Sequence, residues 1–545
     1  MRNNILLVFI ATLLFSCSEK EQADFIFING QVYQVNEGFE KAEAFAIRNN
    51  KFIAVGSEKD ILNNFKSDST IDLAGAAVYP GFIDGHAHFY RYSLGLQDVD
   101  LTGTQSFNEV VQRLQKHAEK YPEDNWLFGR GWDQNDWENK EFPDKDTLDI
   151  LFPNKVIMLH RVDAHAVLTN SKGLQTAGIN ANTKIAGGEV VMKNGEASGV
   201  LIDNAIDALS EKIPEASLEK KQELLQQGQK NCFSVGITSL ADAGLDRKQV
   251  ELMDGMQKNG SLKMRTYAMI SPTEANMNYY FGKGHYKTDF MHVRSFKIYG
   301  DGALGSRGAS LLHPYSDMPE TKGFLLSEVN TFDSLAKIIM AKNFQMNTHC
   351  IGDSSNRVIT DIYAKYLKGK NDKRWRIEHA QVVTSADINK FGSYNILPSV
   401  QPTHATSDMY WAEDRLGEQR IKTAYAYQDL LKQNGMLILG SDFPVEDINP
   451  LYGFHAAIAR QDEENYPEGG FQPENALTRE QALKGMTIWA AFGQFEENEK
   501  GSIEKDKLAD FVILDQDIME IPYEKIRATK VMETWVGGKK VYENK

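Results

Sequence analysis

Residues 79–89 read Tyr79-Pro80-Gly81-Phe82-Ile83-Asp84-Gly85-His86-Ala87-His88-Phe89, and the organisation of the chain follows from how this stretch folds. The apolar lead-in, Val78 to Ile83, has the length and composition of a short buried strand entered through a Pro-Gly turn. It delivers His86 and His88 two residues apart. Alternate side chains on a strand share a face, so both imidazoles can address one point. Neutral imidazoles meeting at a point suit a borderline-soft divalent cation such as zinc. Alone, the pair reads equally well as two polar residues closing a strand, so its partners must be sought elsewhere in the chain.

Downstream, strand-like stretches recur at 236–240, 263–270, 294–299, 344–348, 375–377, 396–400 and 436–439, separated by helix-like segments such as 218–232, 331–342 and 354–367. With 78–83 these make eight β/α units, which predicts an α/β fold of (β/α)8 TIM-like barrel type over residues 79–499, with catalytic groups at the C-terminal strand ends. The interval after the first strand is longer than one helix needs. Its aromatic, Gly- and Asp-rich part predicts an inserted lid subdomain at about 120–210. Short β segments flank the barrel at both ends, among them 23–28 and 31–35 around Asn29-Gly30, read as a hairpin, and 509–514 and 531–541. Residues 24–78 and 500–545 are therefore expected to build one composite β-sandwich.

The 545 residues are 42% hydrophobic and 25% charged, the balance of a globular protein. A formal charge of −15 and the lack of any basic run exclude nucleic acid as a partner. Arg2 followed by the apolar run Ile5–Phe15, too short to span a bilayer, fits an export signal. The run ends Leu14-Phe15-Ser16-Cys17, which resembles a bacterial lipobox. That implies a signal peptide over 1–17, a lipidated Cys17, a tether over 18–23, and a place in the cell envelope with membrane contact through the lipid alone. An ordinary secreted protein with an incidental cysteine is the alternative. Cys232 and Cys350 are too few for a disulfide framework.

The strand ends carry the chemistry. The first ends in His86 and His88, the fourth carries Lys297 among apolar neighbours, the fifth ends in His349, the sixth in Glu378-His379 and the eighth in Ser441-Asp442. Each has an ordinary explanation: a phosphate-binding lysine, a core histidine, a helix-capping aspartate. Their joint arrival at the strand ends of one barrel points to a metal site. The motifs PGFIDGHAH, FKIYGDGALGSR, THCIGD, RIEHAQ and LGSDFPVEDINP resemble the amidohydrolase superfamily, and within it amidohydrolase family 3, the branch that contains N-substituted formamide deformylases. The likeness runs from about Ala23 to the C-terminus.

The resemblance implies two divalent cations, zinc as the expected metal, bridged by N6-carboxylysine at Lys297. His86, His88 and Asp442 would hold one cation, and His349 with His379 the other. A single-cation, deaminase-like site or a cyclic-amide hydrolase is the alternative, and an inactive lipid-anchored binding protein the other class. The expected reaction is hydrolysis of a small amide, of N-substituted formamide or N-acyl type, by a metal-activated hydroxide, with Asp442 as general base and then acid. Trp132, Asp133, Asp163, His165, Asp301, Arg307 and His404 are the expected substrate contacts, Arg307 as a carboxylate clamp. Trp126 and Trp137 read as lid core. Where the family-like phrase usually has Gly, this chain has Ala164. A homodimer is the assembly considered.

Overall fold

The structure, a computed structural model, describes residues 20–544. The expected signal peptide and Cys17 lie outside the described residues. At the centre, eight parallel strands follow one another in space as in sequence: β1 (Phe82–Ala87), β2 (Ile237–Leu245), β3 (Arg265–Ile270), β4 (Met291–Tyr299), β5 (Gln345–Cys350), β6 (Arg376–His379), β7 (Leu397–Val400) and β8 (Ile438–Leu439). Helices cover both the strands and each other, so the strands are buried on both faces and read as nearly unbroken apolar runs.

The sheet comes round to its first strand at a narrow seam. Asp442 N donates to His86 O at 2.8 Å and His88 N to Phe443 O at 2.9 Å. Ser441 Oγ donates to the buried Asp84 at 2.6 Å. Two glycines make this approach possible: a Cβ on Gly85 would lie 2.6 Å from Leu439 O, and one on Gly440 2.5 Å from His86 N.

Several expectations need correction. The opening stretch is two strands: Ala77–Pro80 belongs to the terminal sandwich, and the barrel begins only at Phe82. The break falls at Gly81, where a Cβ would meet Thr238 Oγ1 at 2.3 Å. The segments around Asn29-Gly30 do not form a hairpin. Phe25–Ile28 pairs with Ala44–Arg48 and Thr70–Asp72 in a four-stranded sheet, while Gln31–Tyr33 pairs with Lys41–Ala42 and Ala77–Pro80 in a six-stranded one. The Asn-Gly step is the crossing between the two layers, and Phe27, Phe45, Phe511 and Trp535 pack between them. C-terminal strands Phe511–Leu514 and Val531–Val536 complete the six-stranded layer. Part of the expected tether is docked: Glu21–Gln22 pairs with Phe65–Lys66, and Ala23 is buried.

The insert starts earlier than expected. Its six-stranded sheet begins at Val99–Asp100 and ends at Glu196–Asp203, with a separate apolar core on each face. The helix Phe107–Lys120 packs one of these faces through Val110, Val111 and Leu114. Sequence periodicity does not separate such a helix from a barrel helix, since both bury one apolar stripe.

Candidate active site

β1 and the turn after β8 bring three donors together. His86 closes the buried strand, His88 caps the short helix Phe89–Leu94, and Asp442 sits at a left-handed φ of 63° that turns its side chain back over the barrel. Asp442 Oδ1 lies 3.3 Å from His86 Nε2 and 3.1 Å from His88 Nε2. Both histidines have committed their other nitrogen: His86 Nδ1 to Glu378 Oε2 at 2.5 Å, and His88 Nδ1 to the Ala243 carbonyl at 2.9 Å. Anchored in this way, the two Nε2 lone pairs face one point. Asp442 Oδ1 is buried without a hydrogen bond. Burial acts against its ionisation, but His86 and His88 outweigh it and hold the carboxyl well below its ordinary value. Two imidazole nitrogens and a carboxylate oxygen meeting at one point fit a divalent cation.

Glu378 was legible only as the neighbour of His379, and its role came from the structure. It is fully buried beside Arg376, with Nε to Oε1 at 2.7 Å. Arg376 also donates to the Gly85 carbonyl at 2.6 Å and to Ser399 Oγ at 2.8 Å. Burial would raise the Glu378 carboxyl, yet Arg376 and His86 hold it well below the usual range, so a carboxylate fixes the His86 tautomer.

Lys297 reaches the same point from β4. Its Nζ lies 3.0 Å from His86 Nε2 with no exposure to solvent. Burial, reinforced by Arg376, pushes the amine down to about 8 against the pull of Glu378 and Asp442. His379 packs 5.0 Å from His86 and 4.4 Å from His349, ring centre to ring centre. His379 Nδ1 meets Gln401 Oε1 at 2.7 Å, leaving Nε2 available. His349 instead turns Nε2 to the Gly302 carbonyl at 3.4 Å, leaving Nδ1. Burial pushes both imidazoles well below their ordinary value. The tight donor cluster among the described residues is His86, His88 and Asp442; His349 and His379 stand beside it.

Comparison with known proteins agrees with this geometry. Residues 69–542 match the amidohydrolase family. The chain belongs to that family. As an amidohydrolase it is a metal-dependent hydrolase acting on carbon–nitrogen bonds. It is similar to the protein LONG AFTER FAR-RED 3 of Arabidopsis thaliana, 31% identical over 95% of this chain and 92% of the relative. The N-substituted formamide deformylase of Arthrobacter pascens is 24% identical over 96% of this chain and 99% of its own. Among solved structures, a metal-dependent hydrolase of Pyrococcus furiosus superposes with a TM-score of 0.71 at 25% identity, covering 91% of this chain and all of that one.

In this amidohydrolase His88, Lys297, His349, His379 and Asp442 line a cavity of about 1440 Å³ between barrel and insert, and His86 is fully buried beside them. Of the expected substrate contacts, His165 comes from the insert and packs with its ring tilted 5.0 Å from that of His349, its Nδ1 bonded to Asp203 at 2.6 Å. His404 stands 5.9 Å from His379, with Nε2 4.0 Å from Asp442. Asp163 lines the cavity but is engaged by Arg161 at 2.6 Å. Ala164 lines it too, at a left-handed φ of 60°, the conformation that favours glycine.

Four expected contacts lie elsewhere. Trp132 is buried in the insert core, its indole N–H donating to Leu159 O at 2.8 Å, and Trp137 packs beside it. Asp133 is taken up by Arg161 and the Asn135 amide. Arg307 forks onto Asp317, so it is no free clamp. Asp301 is fully buried and accepts the Ser310, Ile351 and Gly352 amides at 2.9, 3.0 and 2.8 Å, tying the loop after β4 to the end of β5. All four were read from polar or aromatic character near a motif, which does not say which way a loop side chain turns.

Proposed function

We propose that this protein hydrolyses the amide bond of a small N-acyl or N-substituted formamide compound on the cavity floor, with zinc as its metal. Bound divalent cations would supply an acidified water and an electrophile for the carbonyl oxygen. His86, His88 and Asp442 would hold one cation; His349, His379 and a carboxylated Lys297 would complete a second position. Lys297 suits that modification, because burial leaves its amine less protonated than an exposed lysine and aims it at His86. Asp442, ionised and partly free, takes the proton of the attacking water and returns it to the departing nitrogen. His165 and His404 stand where they can donate to the substrate oxygen or leaving group.

The observation that carries this reading is the buried, unbonded Asp442 Oδ1 facing two anchored imidazoles at the bottom of a substrate-sized cavity. The test is metal analysis of protein purified without chelator, together with a panel of N-alkyl formamides, N-acyl amines and cyclic amides. Metal-dependent amine release supports it. Full metal loading with no turnover on any of them would leave a binding protein instead. One observation favours a single-cation variant: the tight donor cluster among the described residues has three members, His86, His88 and Asp442. One metal per chain and an unmodified Lys297 mass would establish it; two metals and a mass increase matching carboxylation would establish the bridged site.

We likewise propose a lipid on Cys17 and attachment to the cell envelope. Metabolic labelling with a fatty-acid analogue, lost in Cys17→Ala, tests it.

A further inference from the structure

The insert strand Val156–Arg161 ends in two neighbours that meet arginine chemistry in opposite ways. Arg161, 2% exposed, is saturated: Nη1 to Asp163 at 2.6 Å, Nε to Gln134 at 2.8 Å, and Nη2 to Asp133. His160 receives Arg91 Nη2 on its Nδ1 at 3.2 Å. A nitrogen that accepts is unprotonated, and burial with Arg91 alongside pushes this imidazole down to about 3. Arg91 is therefore oriented by a neutral partner and keeps its whole charge.

Arg130 lies beside His160 in strand register and lines the same cavity, and its side chain has no hydrogen bond or ion pair among the described residues. Asp98 shares that wall without a hydrogen bond or ion pair to either arginine, and burial pushes its carboxyl up to about 7 against the opposing pull of the Arg130 and Arg91 charges. Arg265 and Arg376, both buried, are each matched with a carboxylate, Asp510 and Glu378, whereas Arg91 is exposed and Arg130 half-buried on the cavity wall. Two unmatched guanidiniums in one concave wall offer planar donor pairs suited to an oxyanion. Arg91 is also close to the donor cluster: it lies three residues beyond His88 on the same short helix, about 4.5 Å further along its axis.

We propose that Arg91 and Arg130, with His160 orienting Arg91, form an oxyanion subsite that grips a carboxylate or phosphate-type group on the substrate, away from the bond to be broken. This names a substrate class and rests on the hydrolase reading above.

The test uses zinc-loaded full-length protein and N-formyl ω-amino acids of increasing chain length, each with its carboxamide and its phosphonate counterpart. Affinity is read by calorimetry and hydrolysis by amine release. At the chain length that spans the two sites, the carboxylate or the phosphonate should bind at least tenfold tighter than the carboxamide, and the better of the two identifies the oxyanion. Arg91→Gln and Arg130→Gln should each bring the anion-to-amide ratio toward one, and Arg91→Lys should recover part of it. Equal affinities in the unmodified protein, or a ratio untouched by both substitutions, would overturn the subsite. Absence of hydrolysis counts against the hydrolase reading alone, because the ratio is read from binding.

Discussion

The two ends of the barrel bury charge in opposite ways. At the N-terminal end, Arg265, which opens β3, meets Asp510 of the sandwich through contacts of 2.6 and 3.0 Å. Glu496 takes Lys500 at 2.6 Å and His292 at 3.2 Å. Arg265 and Lys500 each have a carboxylate within hydrogen-bond reach, and the network ties the sandwich to the barrel. At the C-terminal end, Lys297 bonds an imidazole. Asp442 Oδ1 faces two imidazole nitrogens at 3.1 and 3.3 Å without a hydrogen bond, and no arginine or lysine among the described residues forms an ion pair with it. The first arrangement is complete as it stands; the second is completed by a cation. Buried charge therefore does not mark a site by itself. Buried charge left unfinished at the C-terminal face does.

The contrast breaks first at Asp442. Asp442→Asn should lower turnover by about 10²–10⁴-fold, the range of a lost acid–base group, while the unfolding midpoint stays close to that of the unmodified protein. Turnover near normal would remove its role, and unfolding would make it a structural charge like those at the other end. At that other end, Asp510→Asn strands Arg265 in the interior and should cost about 3–5 kcal/mol. Denaturant unfolding measures the loss, and metal content per folded chain should not change. A loss of metal would mean that the two ends are coupled.

What the sequence disclosed follows the same division. Every expected ligand lies in the last residues of a barrel strand or just beyond it, where neighbouring chain directions are set by the barrel, and the structure brings His86, His88, Lys297, His349, His379 and Asp442 into one region. The barrel itself was legible because buried parallel strands leave continuous apolar runs. Loop residues were not legible. Asp133, Asp163 and Arg161 turn toward one another, and no pattern in sequence separates a carboxylate that meets substrate from one that meets a nearby arginine. Glu378 could have been found by alternation, since Arg376 and Glu378 share a face of β6. Arg91 could not: a helix of six residues is too short for its periodicity to show which side faces the cavity.

A smaller effect sharpens the upper half of the comparison. Glu378→Gln keeps the shape beside His86 but removes the charge that fixes its tautomer. Metal affinity should fall about 10–100-fold, measured by competition with a chromophoric chelator. Unchanged affinity would show that His86 needs no carboxylate behind it.

The smallest effect tests the lower half, through pH. Burial alone would raise the Glu496 carboxyl, but Lys500 and His292 outweigh it and hold it well below its ordinary 4.5. In the unfolded chain the ordinary value returns. Between the two values the unfolded state binds a proton that the folded state does not, so this contribution is fully present above about pH 5 and is lost as pH falls toward the folded value. Glu496→Gln has no such proton to bind. The variant should be less stable at neutral pH, and the gap in unfolding midpoint should narrow steadily on the acid side. A gap that stays constant from neutral to acid pH would mean that Glu496 is not a paired carboxylate. The N-terminal end of the barrel would then be no more complete than the C-terminal one, and the distinction drawn between them would fail there.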